Sequence, residues 1–399
     1  MQCLCIYMYD VVCIGSATQD VFVKTNIAKV LEMREMLQTK AYLCLEYGAK
    51  INVDKIMFTT GGGASNTAYG FGKMGLRTGF CSALGNDESD KIILSELERE
   101  GVDTSLAFRV EEETGYSVII TTFEGERTVL TYRGANNLLA FDEIDINKAT
   151  DTKFLYLGPM TGKASEIPSK FAELLANRDV KICWNPGNTQ ISRGIEKMLP
   201  FISRIDILFL NKEEASNFTG IKYSQMVVDE ERCIGCGTCV DVCPVKIFAV
   251  ESGKAVTRHQ EKCTKCGLCV ERCPTRAITN EPWADNLDPI LKKIHAMGVK
   301  LVVITDGKKG VQCYDGKFRY MFPAYDVPVV STLGAGDAFT VGFISALAKG
   351  RDIETALKVG SANGASVVQQ FGAKYGLLTW DEAMSFINEK EIPVRKSEI

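Results

Sequence analysis

Eight cysteines stand in two runs of identical spacing, Cys233-x-x-Cys236-x-x-Cys239-x-x-x-Cys243-Pro244 and Cys263-x-x-Cys266-x-x-Cys269-x-x-x-Cys273-Pro274. Three thiols at every third position converge only if a tight loop wraps around a shared centre. Gly235, Gly237 and Gly267 supply the backbone freedom for such wrapping. The unit is duplicated, down to the apolar residues after each run (Lys246-Ile247 against Arg276-Ala277-Ile278). The spacing therefore predicts a small pseudo-twofold domain running from about Tyr223 to Trp283. A stretch of about 60 residues has little core and needs a staple. Zinc accounts for C-x-x-C pairs. It does not account for the third Cys or for the two C-x-x-x-C-P endings, and a disulfide framework fits still less well.

Over its whole length this block resembles the bacterial dicluster ferredoxins. There, each 4Fe–4S cube takes three thiolates from one loop and a fourth from the Cys-Pro of the other run. The resemblance implies one cluster on Cys233, Cys236, Cys239 and Cys273, and a second on Cys263, Cys266, Cys269 and Cys243. Crossed ligation ties the halves together, so that cluster binding contributes folding free energy. The other seven cysteines (Cys3, Cys5, Cys13, Cys44, Cys81, Cys183, Cys313) are dispersed, mostly in apolar strands, and read as core residues.

The flanks have a different rhythm. Asp10–Gly15 reads as a buried first strand ending in glycine. Residues 27–60 hold a polar helix-like stretch and then an alternating segment, Ala41–Phe58, suited to exposed strands. A Gly-rich turn at 61–63 opens a helix over 64–74, and 118–132 reads as a hairpin turning at Glu124-Gly125-Glu126. Strands at 153–158, 179–184 and 206–210 alternate with helices at 165–176 and 212–218. The pattern resumes after the cysteine block with helix 285–297, strand 299–304 and helix 335–349. Repeated β-then-α units predict an α/β fold, a mostly parallel sheet with helices on both faces. The cysteine block would be an inserted α+β domain at 223–284, between halves at 8–222 and 285–399. Met8 is the expected start, because the first strand begins there.

Composition excludes several classes. The 399 residues are 46% hydrophobic and 24% charged, with net charge −4 and no long basic run. Nucleic acid and an anionic membrane surface are not expected partners. No apolar run reaches the roughly 18–20 residues that span a bilayer. Fifteen cysteines without an export signal predict a reducing cytoplasm.

A second chemistry sits at Ser331-Thr332-Leu333-Gly334-Ala335-Gly336-Asp337-Ala338-Phe339. Gly334, Ala335 and Gly336 leave amides bare at a helix start, which suits a phosphate. Asp337 in the first turn can then take a proton from a substrate hydroxyl. The bland alternative is an ordinary helix start with a favourable acidic charge. Gly158-Pro159-Met160-Thr161-Gly162-Lys163-Ala164 imitates a P-loop but has too few residues between its glycines and no final Ser or Thr. His259 and His295 are the only histidines, and neither is placed for catalysis.

Outside the cysteine block, across roughly 330 residues, the chain resembles the ribokinase-like, PfkB-type carbohydrate and nucleoside kinases. Six segments stand in the family's order. GAGDAF at 334–339 resembles the C-terminal signature, which implies Asp337 as base and Gly334, Ala335 and Gly336 as an anion hole. Gly61–Ala68, with Lys73-Met74-Gly75-Leu76 and Leu84-Gly85-Asn86-Asp87, resembles the N-terminal signature, which implies Gly62, Gly63 and Asn66 at the acceptor's hydroxyls. Gly15–Asp20 resembles the first strand and loop, with Asp20 holding two acceptor hydroxyls. Asn211-Lys212-Glu213-Glu214 resembles the N-x-x-E motif, implying Asn211 and Glu214 near Mg²⁺ and the phosphates. Thr305-Asp306-Gly307 resembles the nucleotide-side turn, with Thr305 and Gly307 in contact, and Asn363 resembles the Asn near adenine. The family's β-lid maps onto about 22–25, 41–58 and 107–134, and members often pair as homodimers through it. Ser331 stands where an Asp supports a monovalent-cation loop, which counts against K⁺. Arg133 reads as a solvated lid residue rather than an anion contact.

These readings combine as an ATP-dependent phosphotransferase with an alcohol acceptor: a sugar, a sugar phosphate or a nucleoside. Its cofactors would be Mg²⁺ and two 4Fe–4S clusters, the latter regulating it or exchanging electrons with a redox partner protein. The principal alternative is an electron-transfer protein that uses the kinase fold as a nucleotide-responsive docking unit. A regulatory protein with a silent kinase site is disfavoured by the retained Asp337, and purely structural clusters remain open.

Overall fold

The computed structural model describes residues 7–25, 29–35, 38–121, 127–221, 224–264, 266–282 and 287–399. The chain forms two compact units, 1–25 with 53–218 and 291–399, and 26–52 with 219–290.

The first unit is built on a nine-stranded sheet. In spatial order the strands are Arg395–Glu398, Phe318–Phe322, Val311–Tyr314, Leu301–Thr305, Ile207–Asn211, Lys181–Trp184, Thr152–Leu157, Tyr9–Ile14 and Thr78–Cys81. From Leu301–Thr305 to Thr78–Cys81 the pairings are parallel, and the three strands at the other edge are antiparallel. The central strands are unbroken apolar runs because both faces are covered. Val11, Val12, Cys13, Ile14, Leu155, Tyr156, Leu208 and Phe209 are all buried. Helix Ala335–Ala348 packs Phe339 and Phe343 edge-on against Phe209. It is apolar all round, as a helix enclosed on every side must be.

A four-stranded sheet, Arg127–Tyr132, Gly115–Thr121, Thr18–Lys24 and Lys55–Gly61, is the other large sheet of this unit and overlaps in part the segments expected for a lid. Its segments differ from the expected 22–25, 41–58 and 107–134. Gln38–Cys44 pairs instead with Lys29–Glu35, in a hairpin that groups with the second unit. Residues 29–35 of the expected helix-like stretch are thus a strand, because cross-strand pairing (Leu31 opposite Tyr42) overrides a segment rich in helix formers. The turn expected at 124–126 lies outside the described residues.

The second unit repeats itself, as the sequence predicts. Strand Ser224–Val228 pairs antiparallel with Ile278–Pro282, and Phe248–Glu251 with Lys254–Thr257. Short helices Thr238–Val242 and Leu268–Arg272 begin after Gly237 (φ 78°) and Gly267 (φ 80°). Lys246 and Arg276, each three residues beyond a Cys-Pro cysteine, share φ 52°. Gly235 (φ 69°) is required sterically, since a Cβ there would lie 2.2 Å from the Gly253 carbonyl oxygen. This unit is larger than the expected 223–284, reaching 219–290 and taking in 26–52. Tyr223 and Trp283 themselves lie outside the described residues.

Candidate active site and cluster-binding loops

The catalytic candidates converge at the C-terminal ends of the parallel strands. Strand Thr18–Lys24 carries Asp20, buried between its cross-strand neighbours Thr59 and Ser117. Thr18 Oγ1 donates to Asp20 Oδ1 at 2.8 Å. Burial raises the Asp20 carboxyl above its ordinary range. Gly61 is glycine because a Cβ would sit 1.9 Å from Asp20 Oδ2. Gly62 adopts φ 92°, and a Cβ there would strike the Ser16 carbonyl oxygen at 2.5 Å. This close approach starts helix Gly63–Lys73, whose first turn presents Asn66; Ser16 Oγ accepts from the Gly63 amide at 3.1 Å.

Asn66 Nδ2 donates to Asp337 Oδ2 at 2.8 Å, joining two motifs 271 residues apart. Its Oδ1 is buried and has no partner, an acceptor left for a ligand's hydroxyl. Asp337 lies in the first turn of Ala335–Ala348 behind Gly334, which takes φ 79°. A Cβ on Gly334 would meet Ala373 Cα at 2.6 Å, whereas one on Gly336 would meet nothing within 4 Å. The space at Gly336 is therefore not consumed by the protein's own packing. The first-turn amides have no acceptor within the helix, and they border that space. Desolvation pushes the Asp337 carboxyl up to about 6, against the opposing influence of Asn66 and of Lys374.

Lys374 escaped the sequence reading. It is buried, and its Nζ donates to Ser65 Oγ at 2.9 Å, to Glu96 Oε2 at 3.0 Å and to Thr60 Oγ1. Burial lowers its ammonium below the ordinary range, with Glu96 opposing, and it acts electrostatically on both Asp20 and Asp337. A lone Lys after Gly372-Ala373 carries no motif; only the fold encloses it. Asn136 was missed in the same way. Its Oδ1 accepts from the Ala17 amide at 2.9 Å and its Nδ2 donates to the Ala17 carbonyl at 2.8 Å, fixing the loop before Asp20.

The nucleotide-side residues are more mixed. Asn211 and Glu214 cap helix Lys212–Thr219 reciprocally: Asn211 Oδ1 accepts from the Glu214 amide at 2.8 Å, and Glu214 Oε2 from the Asn211 amide at 2.9 Å. Burial raises the Glu214 carboxyl. Thr305 ends its strand and Gly307 (φ 52°) begins the following turn, tied by the Lys212–Asp306 ion pair at 2.9 Å. Asn363 departs from expectation. It is fully enclosed, its Nδ2 donating to the Ala338 carbonyl at 2.7 Å and its Oδ1 accepting from the Leu378 amide at 2.9 Å. It braces two helices and the following loop rather than facing a nucleotide. Arg133 is exposed.

In the second unit, Cys233, Cys236, Cys239 and Cys273 line one cavity together with Thr238 and Thr275. Cys269 lies within electrostatic reach of Cys263, Cys266 and Cys243. Each set thus combines three thiols of one run with the Cys-Pro thiol of the other. Burial pushes Cys269 up to about 11, and neighbouring thiols add to the shift. The Thr238 hydroxyl holds Cys236 below its usual value. Among the described residues, no group of three His, Cys, Asp or Glu side chains could hold a single metal ion. Four thiols spread around a cavity suit a multi-iron cube, whose ligands stand farther apart than those of one zinc. Cys13, Cys81, Cys183 and Cys313 are buried in strands, as expected; burial pushes Cys81 up to about 12.

Comparison with known proteins gives the same two parts. The profile of the pfkB family carbohydrate kinases matches residues 9–242 and 272–380, and that of the 4Fe-4S dicluster domain matches 225–274. An uncharacterized sugar kinase of Archaeoglobus fulgidus is 23% identical over 308 residues, 77% of this chain and 98% of that protein. An ATP-dependent 6-phosphofructokinase of Thermoanaerobacterium thermosaccharolyticum is 24% identical over 373 residues, 91% of this chain and 95% of its own. The ribokinase of Arabidopsis thaliana, solved with ribose and ATP, superposes with TM-score 0.66 at 21% identity, covering 95% of this chain and 98% of that one.

Proposed function

The chain belongs to the pfkB family of carbohydrate kinases, with a 4Fe-4S dicluster domain set into its sequence, and on that premise we propose that it transfers the γ-phosphoryl group of ATP to a hydroxyl of a sugar, sugar phosphate or nucleoside. The observation that carries this reading is the Asn66–Asp337 hydrogen bond of 2.8 Å, which supports it by joining the two motifs that phosphoryl transfer would need side by side. Asp20 and the unpartnered Oδ1 of Asn66 are both acceptors, and a polyhydroxylated substrate supplies donors to match. Asp337 takes the proton from the attacking hydroxyl, so it must be ionised. The amides of Gly334, Ala335 and Gly336 meet the charge on the transferring phosphoryl group. Mg²⁺, when bound with ATP, supplies charge neutralisation on the phosphates. Glu214 is the carboxylate on the nucleotide side that suits it, acting through water while it keeps its cap.

The test is ATP consumption against a panel of sugars, phosphosugars and nucleosides, using anaerobically prepared protein with Asp337→Asn as control. One acceptor should be turned over with an acid limb near pH 6, and the control should fall by about 10²–10⁴-fold in kcat. Turnover by the control at the wild-type rate would remove Asp337 as base. Absence of any acceptor would return the kinase unit to a nucleotide-responsive scaffold.

A further inference from the structure

The two cluster loops repeat in spacing but not in the groups that touch their sulfurs. At the two Cys-Pro cysteines the backbone amides follow the pseudo-twofold: Ile247 donates to Cys243 Sγ at 3.4 Å and Ala277 to Cys273 Sγ at 3.2 Å, while the Ala255 amide adds a bond to Cys233 Sγ at 3.3 Å. Side-chain hydroxyls break it. Thr238 Oγ1 lies 3.3 Å from Cys236 Sγ, and Thr275 Oγ1 lies 3.7 Å from Cys273 Sγ. The matching positions in the other halves of the repeat are Leu268 and Val245, which have no hydroxyl. Thr238 and Thr275 belong to different runs. Crossed ligation nevertheless brings Cys236 and Cys273 to the same cavity, which both threonines line. Both hydroxyls therefore serve one cluster, while the equivalent positions of the repeat at the other are Leu268 and Val245.

We infer that Thr238 and Thr275 make the two clusters inequivalent, giving the one held by Cys233, Cys236, Cys239 and Cys273 the higher reduction potential, so that the first electron to enter the unit rests there. A hydroxyl donating to a cysteinate sulfur stabilises the more negative, reduced cube, which raises its potential. The reduction is a one-electron uptake by the cube from a one-electron donor, with no bond made or broken. The inference rests on the cluster-binding reading of the cysteines.

Full-length protein would be prepared anaerobically, checked for iron and sulfide, and titrated potentiometrically with dithionite while the reduced-cluster electron paramagnetic resonance signal is followed. Two one-electron steps are expected, separated by at least a tenfold preference, which is about 59 mV for one electron. In Thr238→Val/Thr275→Val the upper step alone should move down toward the lower. In the reciprocal Leu268→Thr/Val245→Thr the lower step alone should move up. Thr264→Val, beside Cys263, serves as a control that shifts neither. Coincident steps in the native protein, or an upper step unmoved by loss of both hydroxyls, overturn the inference and leave cluster binding intact. If the first pair of variants does not fold, the reciprocal pair decides alone: a lower step that stays put overturns it. Absence of iron and sulfide from the native protein would overturn the cluster reading itself.

Discussion

Asp337 is poised between burial, which disfavours its charge, and Asn66 and Lys374, which favour it. The balance, at about 6, leaves it ionised at neutral pH at some cost to folding. Because the folded value exceeds the unfolded one, the penalty is absent below about pH 4 and fully present above about pH 6. Asp337→Asn should therefore lose most of its activity yet be more stable than wild type by about 2–3 kcal/mol at pH 8, with no gain near pH 3.5. Denaturant melts at the two pH values check this. Lys374→Met removes the cation shared by Asp20 and Asp337, and the acid limb of kcat/KM should rise above its native position. Stability should fall, because Glu96 loses its ammonium partner and keeps only the Thr60 hydroxyl. Adding Glu96→Gln should restore stability without returning the pH limb. If both recover together, Lys374 is only a structural clamp. Asp20, Asn66 and Asp337 were legible in sequence because each sits in a motif. Lys374 was not, because its meaning lies in partners at Thr60, Ser65 and Glu96, which share no pattern with it.

At the scale of single elements, helix Ala335–Ala348 illustrates a glycine kept at a cost. Gly336 has ordinary φ and open space around its missing Cβ. Gly336→Ala should stabilise the protein by about 0.5–1 kcal/mol. It should also weaken kcat/KM for ATP, because the new methyl enters the space where the phosphoryl group would approach the amides. A variant that is both more stable and fully active would refute that placement. Helix Lys212–Thr219 teaches the converse lesson. Its N-x-x-E segment read as a phosphate-side motif, and in the structure it is also a complete capping box. The strand Lys29–Glu35 was misread as helix because six of its seven residues are good helix formers, and only pairing with its partner strand overrode them.

On the scale of the whole molecule, the insert occupies a crossover. Strands Ile207–Asn211 and Leu301–Thr305 are adjacent and parallel, and the chain between them passes through Lys212–Thr219, the cluster unit and Asp288–Ala296. Ser224 pairs with Pro282, so the insert leaves and returns at one point. Replacing 224–282 by a short linker should preserve the fold and kinase activity of the remainder; loss of all soluble protein would show that the two folding units are interdependent. With the insert in place, ATP affinity is expected to differ between oxidised and reduced protein, and equal dissociation constants in both states would exclude coupling. The sequence by itself determined the α/β alternation, the duplicated cluster loops and most of the candidate site residues, because periodicity and motif spacing are local properties of a chain. Tertiary structure alone decided that Lys374 is a buried cation beneath two carboxylates, that Asn363 is braced by packing, and that Thr238 and Thr275 share one cavity. Those facts depend on contacts between residues far apart in the chain, which no local pattern encodes.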